Sequence, residues 1–322
     1  MSLTVWCNRR FRPEAEQQLR DGLAGHRLVV APDATLADAV PIGRAALEDA
    51  DVAFGQPPPD GILAHPRVRW VHVTSAGYTR YDTPPFLEAL RARGTAFSTS
   101  SGVFADPCAQ HVLAMILALS RQLHASYRDQ LGDHSWHYDE RRYESDLLTG
   151  QTVVMLGYGA IARRLAELLG PFRCRLFALR RQAKSVPGVR IIAEEDLTAI
   201  LPLADHVVDL LPDNERTRGW MNARRFACLK PGARFYNVGR GATVDQRALL
   251  EALRSGRLGA AFLDVTETEP LPPDDPLWTA PRCLITPHTA GGRRDQDEAV
   301  VRHFLDNLRA WEAGQPLADR IV

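Results

Sequence analysis

Apolar and polar residues alternate in short blocks along this chain, and the period of the blocks changes in a regular order. Through the first hundred residues, apolar runs at 3–6, 27–30, 51–54, 68–73 and 96–98 are interleaved with helix-patterned stretches at 13–22, 36–40 and 85–93. Strand-sized runs separated by helical spacing predict a small βα repeat. From Asp106 the spacing becomes that of one long helix, with Asp106-Pro107 as its start signal and apolar positions through to Leu123. Residues 125–150 are polar but carry Tyr127, Trp136, Tyr138 and Tyr143, an aromatic content expected of a segment that packs on a partner subunit.

The strand-helix alternation then returns. Strands are expected at 152–156, 174–179, 189–192, 206–211, 233–237, 260–263 and 283–285, with helices after residue 160 and at 194–201, 217–229 and 245–255. Asp245 is placed to cap the last of these at its start and Gly256 at its end. A closing helix at 294–313 is long enough to return to the first domain. The pattern predicts an α/β protein of two doubly wound parallel-sheet domains, one discontinuous (1–103 and 293–322) and one continuous (104–292).

Composition agrees with this size of fold. A chain of 322 residues with 45% hydrophobic content can bury two ordinary cores. With 39 basic and 39 acidic residues and no block of like charge, it offers no footprint for nucleic acid or an anionic membrane surface. The apolar run 112–119 is short of a membrane span and the N-terminus reads as a strand rather than a signal peptide, so the expected compartment is the cytoplasm. Cys7, Cys108, Cys174, Cys228 and Cys283 are scattered singly without a CxxC pair, which suits reduced thiols.

The first chemical signal is Gly157-Tyr-Gly159-Ala160-Ile161-Ala162, directly after the strand at 152–156 and opening a helix. In that context Gly157 permits the tight turn, Gly159 lets backbone approach a pyrophosphate, and the small residue at 162 lets helix pack on strand. The N–H groups of Ala160 and Ile161 then face the phosphates at a helix N-terminus. The next strand ends in Arg180 and Arg181, where an NAD site would carry Asp or Glu. A guanidinium there suits a 2′-phosphate, which makes NADP(H) the preferred cofactor and NAD(H) the alternative. Lys184 adds charge nearby.

Three further clusters fall at strand C-terminal ends: 237–245 (NVGRGATVD), 264–271 (DVTETEPL) and 285–292 (ITPHTAGG). Taken singly, each has an ordinary reading as a turn arginine, solvated carboxylates or a structural histidine. Together, a nucleotide fingerprint followed by an arginine that can orient a carboxylate, a Glu and a His supplies the parts a 2-hydroxyacid dehydrogenase needs. Over nearly its full length the chain resembles the D-isomer-specific 2-hydroxyacid dehydrogenases, within them the glyoxylate/hydroxypyruvate reductase branch, and the three clusters match that family's signature blocks. The resemblance implies a Rossmann-type cofactor domain beside a smaller flavodoxin-like substrate domain. It implies that Arg240 binds substrate, Glu269 partners the histidine and His288 is the acid/base. Asp264 would hold the nicotinamide carboxamide with the backbone near Val238 beside it, and the Ala76 and Gly77 N–H groups would grip the substrate carboxylate.

Departures from the family pattern are Arg180 for an acidic residue, Ala162 for the third glycine, Asp213 for an apolar residue and Gln110 for Glu. His124, His134 and His137 lack a third and fourth ligand at recognised spacing, and no metal is expected. The expected activity is hydride transfer between NADP(H) and a small 2-oxo/D-2-hydroxy acid such as glyoxylate or hydroxypyruvate, in a homodimer. The alternatives are an NAD-linked phosphoglycerate- or D-lactate-type dehydrogenase and, from another class, a nicotinamide-sensing corepressor-like binding protein.

Overall fold

The computed structural model describes residues 2–35, 47–180 and 185–322, with backbone alone at 32–35. The chain divides into two compact units, Met1–Phe104 with Arg293–Val322, and Ala105–Gly292. The helix expected at 36–40 lies outside the described residues.

Among the described residues the first unit holds a five-stranded sheet of β1 (Thr4–Arg9), β2 (Arg27–Thr35), β3 (Val52–Gly55), β4 (Trp70–Val73) and β5 (Ala96–Ser98). Every pairing is parallel, in the flavodoxin-like order β2-β1-β3-β4-β5. Because successive side chains point to opposite faces, Val5 and Cys7 enter one core and Trp6 the other. The closing helix Gln296–Glu312 lays Phe304 on the first face, its ring stacked on Phe54 with centroids 4.0 Å apart and on Trp70 at 5.3 Å. Burial of such a ring contributes about 1.5–3 kcal/mol, and this helix is how the C-terminal segment joins the N-terminal unit.

Among the described residues the second unit holds seven parallel strands: β6 (Thr152–Leu156), β7 (Arg175–Leu179), β8 (Val189–Ile192), β9 (His206–Asp209), β10 (Ala233–Asn237), β11 (Leu258–Leu263) and β12 (Cys283–Ile285). Their order, β12-β11-β10-β9-β6-β7-β8, reverses between β6 and β9. Open sheets bind ligands outside the strand C-termini at such a reversal. Helix Gln246–Arg254 packs Leu249 and Leu253 into the core of this unit; Asp245 caps it by accepting the Ala248 N–H at 3.0 Å, and Gly256 follows its end at φ +74°.

Three expected helices differ. The one expected to begin at Asp106-Pro107 runs over Ser101–Ser120 with Pro107 inside it. Proline lacks the N–H that would reach the Val103 carbonyl, so the ladder is interrupted next to the residue where the two units divide. By length and a mean hydropathy of 1.5 this helix is long enough to cross a membrane, but Ala109, Val112, Ile116 and Leu119 are buried at the spacing of a core helix. The helix expected at 217–229 shortens to Ala223–Cys228, because Gly219 turns at φ +59° and Met221 bridges to Val244 before Asn222 caps the helix. The helix expected at 194–201 is one α-turn, Leu197–Ile200, between two 3-10 turns. Within 125–150 the chain forms helices Leu123–Leu131 and Tyr138–Tyr143 around Trp136, which is 90% exposed.

Candidate active site

At the end of β6, Gly157 takes φ +107°, and a Cβ on it would stand 3.2 Å from the Leu210 carbonyl oxygen. Gly159 precedes helix Ala160–Leu169 without any side-chain cap, and a Cβ on it would meet nothing within 4 Å. Open space therefore lies before uncapped N–H groups at Ala160 and Ile161, while Ala162 is fully buried against the sheet. This cradle fits the pyrophosphate of a dinucleotide. Arg180 stands at the end of β7, its N–H bonded to the Ile192 carbonyl at 3.1 Å, and among the described residues its guanidinium has no carboxylate partner. Arg181 and Lys184 lie outside the described residues.

After β10 the chain makes a tight turn through Val238, Gly239, Arg240 and Gly241. The Asn237 side chain holds it from both sides, accepting the Gly239 N–H at 2.9 Å and donating to the Arg240 carbonyl at 3.0 Å. Arg240 Nη1 donates to the Gly239 carbonyl at 2.7 Å, tying the guanidinium to its own turn. The Thr243 hydroxyl lies 2.6 Å from the Arg240 carbonyl and 2.7 Å from Asp209 Oδ2. Asp209, at the end of β9, is fully buried; it also accepts the Leu211 N–H at 3.0 Å. Burial pushes its carboxyl up to about 7, offset in part by those two hydrogen bonds. The Val238 N–H reaches the Asp209 carbonyl at 3.4 Å.

The strands β11 and β12 carry the titratable pair. His288 Nδ1 and Glu269 Oε2 are 2.7 Å apart, the imidazole 51% and the carboxylate 37% exposed. Glu269 Oε1 accepts the Thr266 N–H at 3.0 Å, so one oxygen is anchored and the other serves the histidine. Among the described residues Nε2 of His288 has no partner. His288 sits at φ +53°, a left-handed conformation costing a side-chain-bearing residue about 1–2 kcal/mol. Asp264 holds it there. Its carboxylate, 3% exposed, accepts from the Thr286 hydroxyl (2.5 Å) and the N–H groups of Thr289 (2.8 Å) and Ala290 (3.0 Å). Its carbonyl accepts the His288 N–H at 2.8 Å. Gly241 joins the two loops: a Cβ on it would lie 1.9 Å from the backbone of Thr266.

In the first unit, the turn after β4 has its carbonyls engaged. The Ser75 carbonyl accepts from Ser100 N–H at 3.0 Å, that of Ala76 from the Ser101 hydroxyl at 3.3 Å and that of Gly77 from the Ser75 hydroxyl at 2.6 Å. Among the described residues the N–H groups of Ala76 and Gly77 donate to no protein acceptor. Gln56 braces the turn through Thr74 and Ser75, and the Asn8 side-chain amide holds Gln56 in turn, accepting the Gln56 N–H and donating to the Gln56 carbonyl.

Within the second unit the structure thus brings His288 and Glu269 together and supports them with Asp264, and it sets Arg240 in a neighbouring braced turn. Sequence reasoning missed Asp209, Thr286 and the bracing by Asn237 and Thr243. A carboxylate inside the apolar run 207–211 was the available signal for Asp209; Thr286 had none. His134 and His137 line a cavity of about 530 Å³ with Trp136 and Arg141, and among the described residues no three His, Cys, Asp or Glu side chains converge as a metal site requires.

Residues 113–290 match the family model described as D-isomer specific 2-hydroxyacid dehydrogenase, NAD binding domain. A relative from Corynebacterium melassecola, described as an uncharacterized protein in the proB 3′ region, is 31% identical over 285 residues, covering 85% of this chain and 89% of the relative. A D-isomer specific 2-hydroxyacid dehydrogenase from Xanthobacter autotrophicus Py2, solved with NADPH and MES, is 28% identical with a TM-score of 0.81, over 100% of this chain and 98% of that one. An NADPH-dependent glyoxylate/hydroxypyruvate reductase from Sinorhizobium meliloti, solved with NADP and sulfate, is 26% identical with a TM-score of 0.81 over the same shares.

Proposed function

The chain belongs to the D-isomer-specific 2-hydroxyacid dehydrogenases, and we propose that within this NAD(P)-dependent family it is an NADP(H)-preferring reductase of small 2-oxo acids such as glyoxylate or hydroxypyruvate. The observation that carries the reading is the half-exposed His288–Glu269 pair at 2.7 Å with Nε2 left unbonded. When bound at the Gly157–Ala162 cradle, the cofactor supplies a hydride to C2 of the oxo acid. Negative charge then builds on the carbonyl oxygen, and His288 in its imidazolium form donates the Nε2 proton to it. Glu269 accepts the Nδ1–H and so fixes both the ring and the position of its proton.

Arg240 keeps one donor on the Gly239 carbonyl and offers the rest of its fork to the substrate, and the N–H groups of Ala76 and Gly77, without a protein acceptor among the described residues, are the donors for a substrate carboxylate. Asp264 keeps its part at the nicotinamide carboxamide only through the capacity its three donors leave, and its larger task is to hold the His288 loop. Support for NADP(H) comes from Arg180, a cation without a carboxylate partner among the described residues, where the fingerprint places the ribose. Two neighbours at 26–28% identity were solved with NADP or NADPH. The reading extends to a cytoplasmic homodimer, with Tyr127, Leu131, Trp136 and Tyr143 as exposed apolar side chains for a second copy to cover and the cysteines as free thiols.

The test is initial rates of glyoxylate and hydroxypyruvate reduction with NADPH and NADH, in the parent and in Arg180→Asp. Preference for NADPH that falls or reverses in the variant is expected. Turnover with NADH alone would favour the phosphoglycerate- or D-lactate-type alternative, and no turnover on any 2-oxo acid the binding-protein alternative.

A further inference from the structure

The Arg240 turn contains a feature that substrate binding alone does not require. One hydroxyl, that of Thr243, stands within hydrogen-bond distance of two acceptors, the Arg240 carbonyl (2.6 Å) and Asp209 Oδ2 (2.7 Å). A hydroxyl has one hydrogen and serves one of them at a time. Which one it serves depends on the other group it touches. We propose that Asp209 is a positioning residue for Arg240, acting through Thr243: a neutral Asp209 donates its proton to the Thr243 oxygen and frees the Thr243 hydrogen for the Arg240 carbonyl, whereas an ionised Asp209 takes that hydrogen for itself. The proposal rests on the reading of Arg240 as the substrate-binding arginine.

The surroundings of Asp209 suit a carboxyl that changes state near neutrality. It is fully buried at the end of β9, between Leu156 of β6 and Asn237 of β10, its partners in register. Strand β6 has no titratable side chain. On β10, Arg234 is paired with Asp146 and Tyr236 with His206, which lies at the opposite end of β9 from Asp209. The Gly157 turn, packed on Leu210, carries Tyr158, and the 239–243 turn carries only Arg240, whose guanidinium is directed to the Gly239 carbonyl. Among the described residues no cation is paired with the carboxylate, and burial holds its acidity near neutral pH. Its folded value lies above the ordinary carboxylate range, so the neutral form and the bond to the Arg240 carbonyl are present at low pH and lost as pH rises through about 7. The carbonyl then keeps only Asn237 Nδ2 at 3.0 Å and the Thr243 N–H at 3.2 Å.

The experiment is the KM for the 2-oxo acid and kcat, each followed from about pH 6 to about pH 9, in the parent and in Asp209→Asn, Thr243→Val and Thr243→Ser. In the parent, KM is expected to rise about twofold to tenfold across the range, the size of one net hydrogen bond. Asp209→Asn, whose amide donates at every pH, removes the part of the rise that comes from Asp209 and so departs from the parent curve above about pH 7; Thr243→Val raises KM at every pH and Thr243→Ser restores the parent curve. An infrared difference spectrum between the two pH limits gives a protonated-carboxyl band that Asp209→Asn removes, without reference to activity. Parent and Asp209→Asn curves that coincide, or absence of that band, would overturn the proposal. Arg240→Ala separates the two levels: a raised KM there with coincident Asp209 curves defeats this inference alone, and an unchanged KM defeats both it and the substrate reading of Arg240.

Discussion

The loops that follow β10 and β12 rise from the same sheet and are built on opposite plans. The Arg240 turn rests on Asn237, Thr243 and Asp209, each 1% exposed or less, and its bonds run to backbone or to buried oxygens. The His288 loop holds its working groups half in solvent, the imidazole 51% and its carboxylate 37% exposed, and buries only the clamp, Asp264. The difference follows from the two tasks. A group that exchanges a proton in every turnover must be reachable by water or substrate, whereas a group that orients a carboxylate gains from a turn that cannot relax. Gly241 is where the two plans meet, since only a glycine lets the arginine turn lie against Thr266, which in turn anchors Glu269.

Breaking the exposed side of this comparison should have the largest effect. His288→Ala is expected to lower kcat by about a hundredfold to ten-thousandfold while leaving the affinity for NADPH unchanged. Single-turnover rates and fluorescence titration of the cofactor check both halves, and full turnover would remove His288 from the mechanism. Glu269→Gln keeps the shape and removes the charge, so a smaller loss in kcat is expected, about tenfold to hundredfold, the size of a hydrogen bond to a charged group. If Glu269→Gln instead raised KM and spared kcat, the carboxylate would belong with the positioning groups.

Gly241→Ala tests the junction. The added methyl overlaps the Thr266 backbone, and overpacking of this kind costs about 1–3 kcal/mol, read as a lower urea midpoint. Because the displacement reaches Thr266 and Arg240 together, kcat and KM should both worsen, unlike in either loop's own variants. An alanine variant with unchanged stability would mean the two loops are not in contact as described.

Much of this was legible along the chain. The alternation of apolar runs and helical spacing carried the α/β class and the strand positions, because a buried parallel strand can be made only of a few residue types. Gly157 and Gly159 were legible because a left-handed turn and an open phosphate cradle exclude side chains, and Asp245 because an N-cap is a local bond. The helix starts at 101 and 223 were not, since the first helix continues through Pro107 and the second waits for the Met221–Val244 bridge, and no local pattern records either.

The order of apolar and polar residues therefore determined the two sheets and the residues delivered to their strand ends, through local propensity and period alone. Only the tertiary structure decided which of those residues work together. The pairing of His288 with Glu269, the three-donor clamp on Asp264 and the choice facing the Thr243 hydrogen all join groups from different strands. Hydrogen bonds at 2.5–3.0 Å between such groups depend on sheet register and loop closure, which are properties of the packed whole.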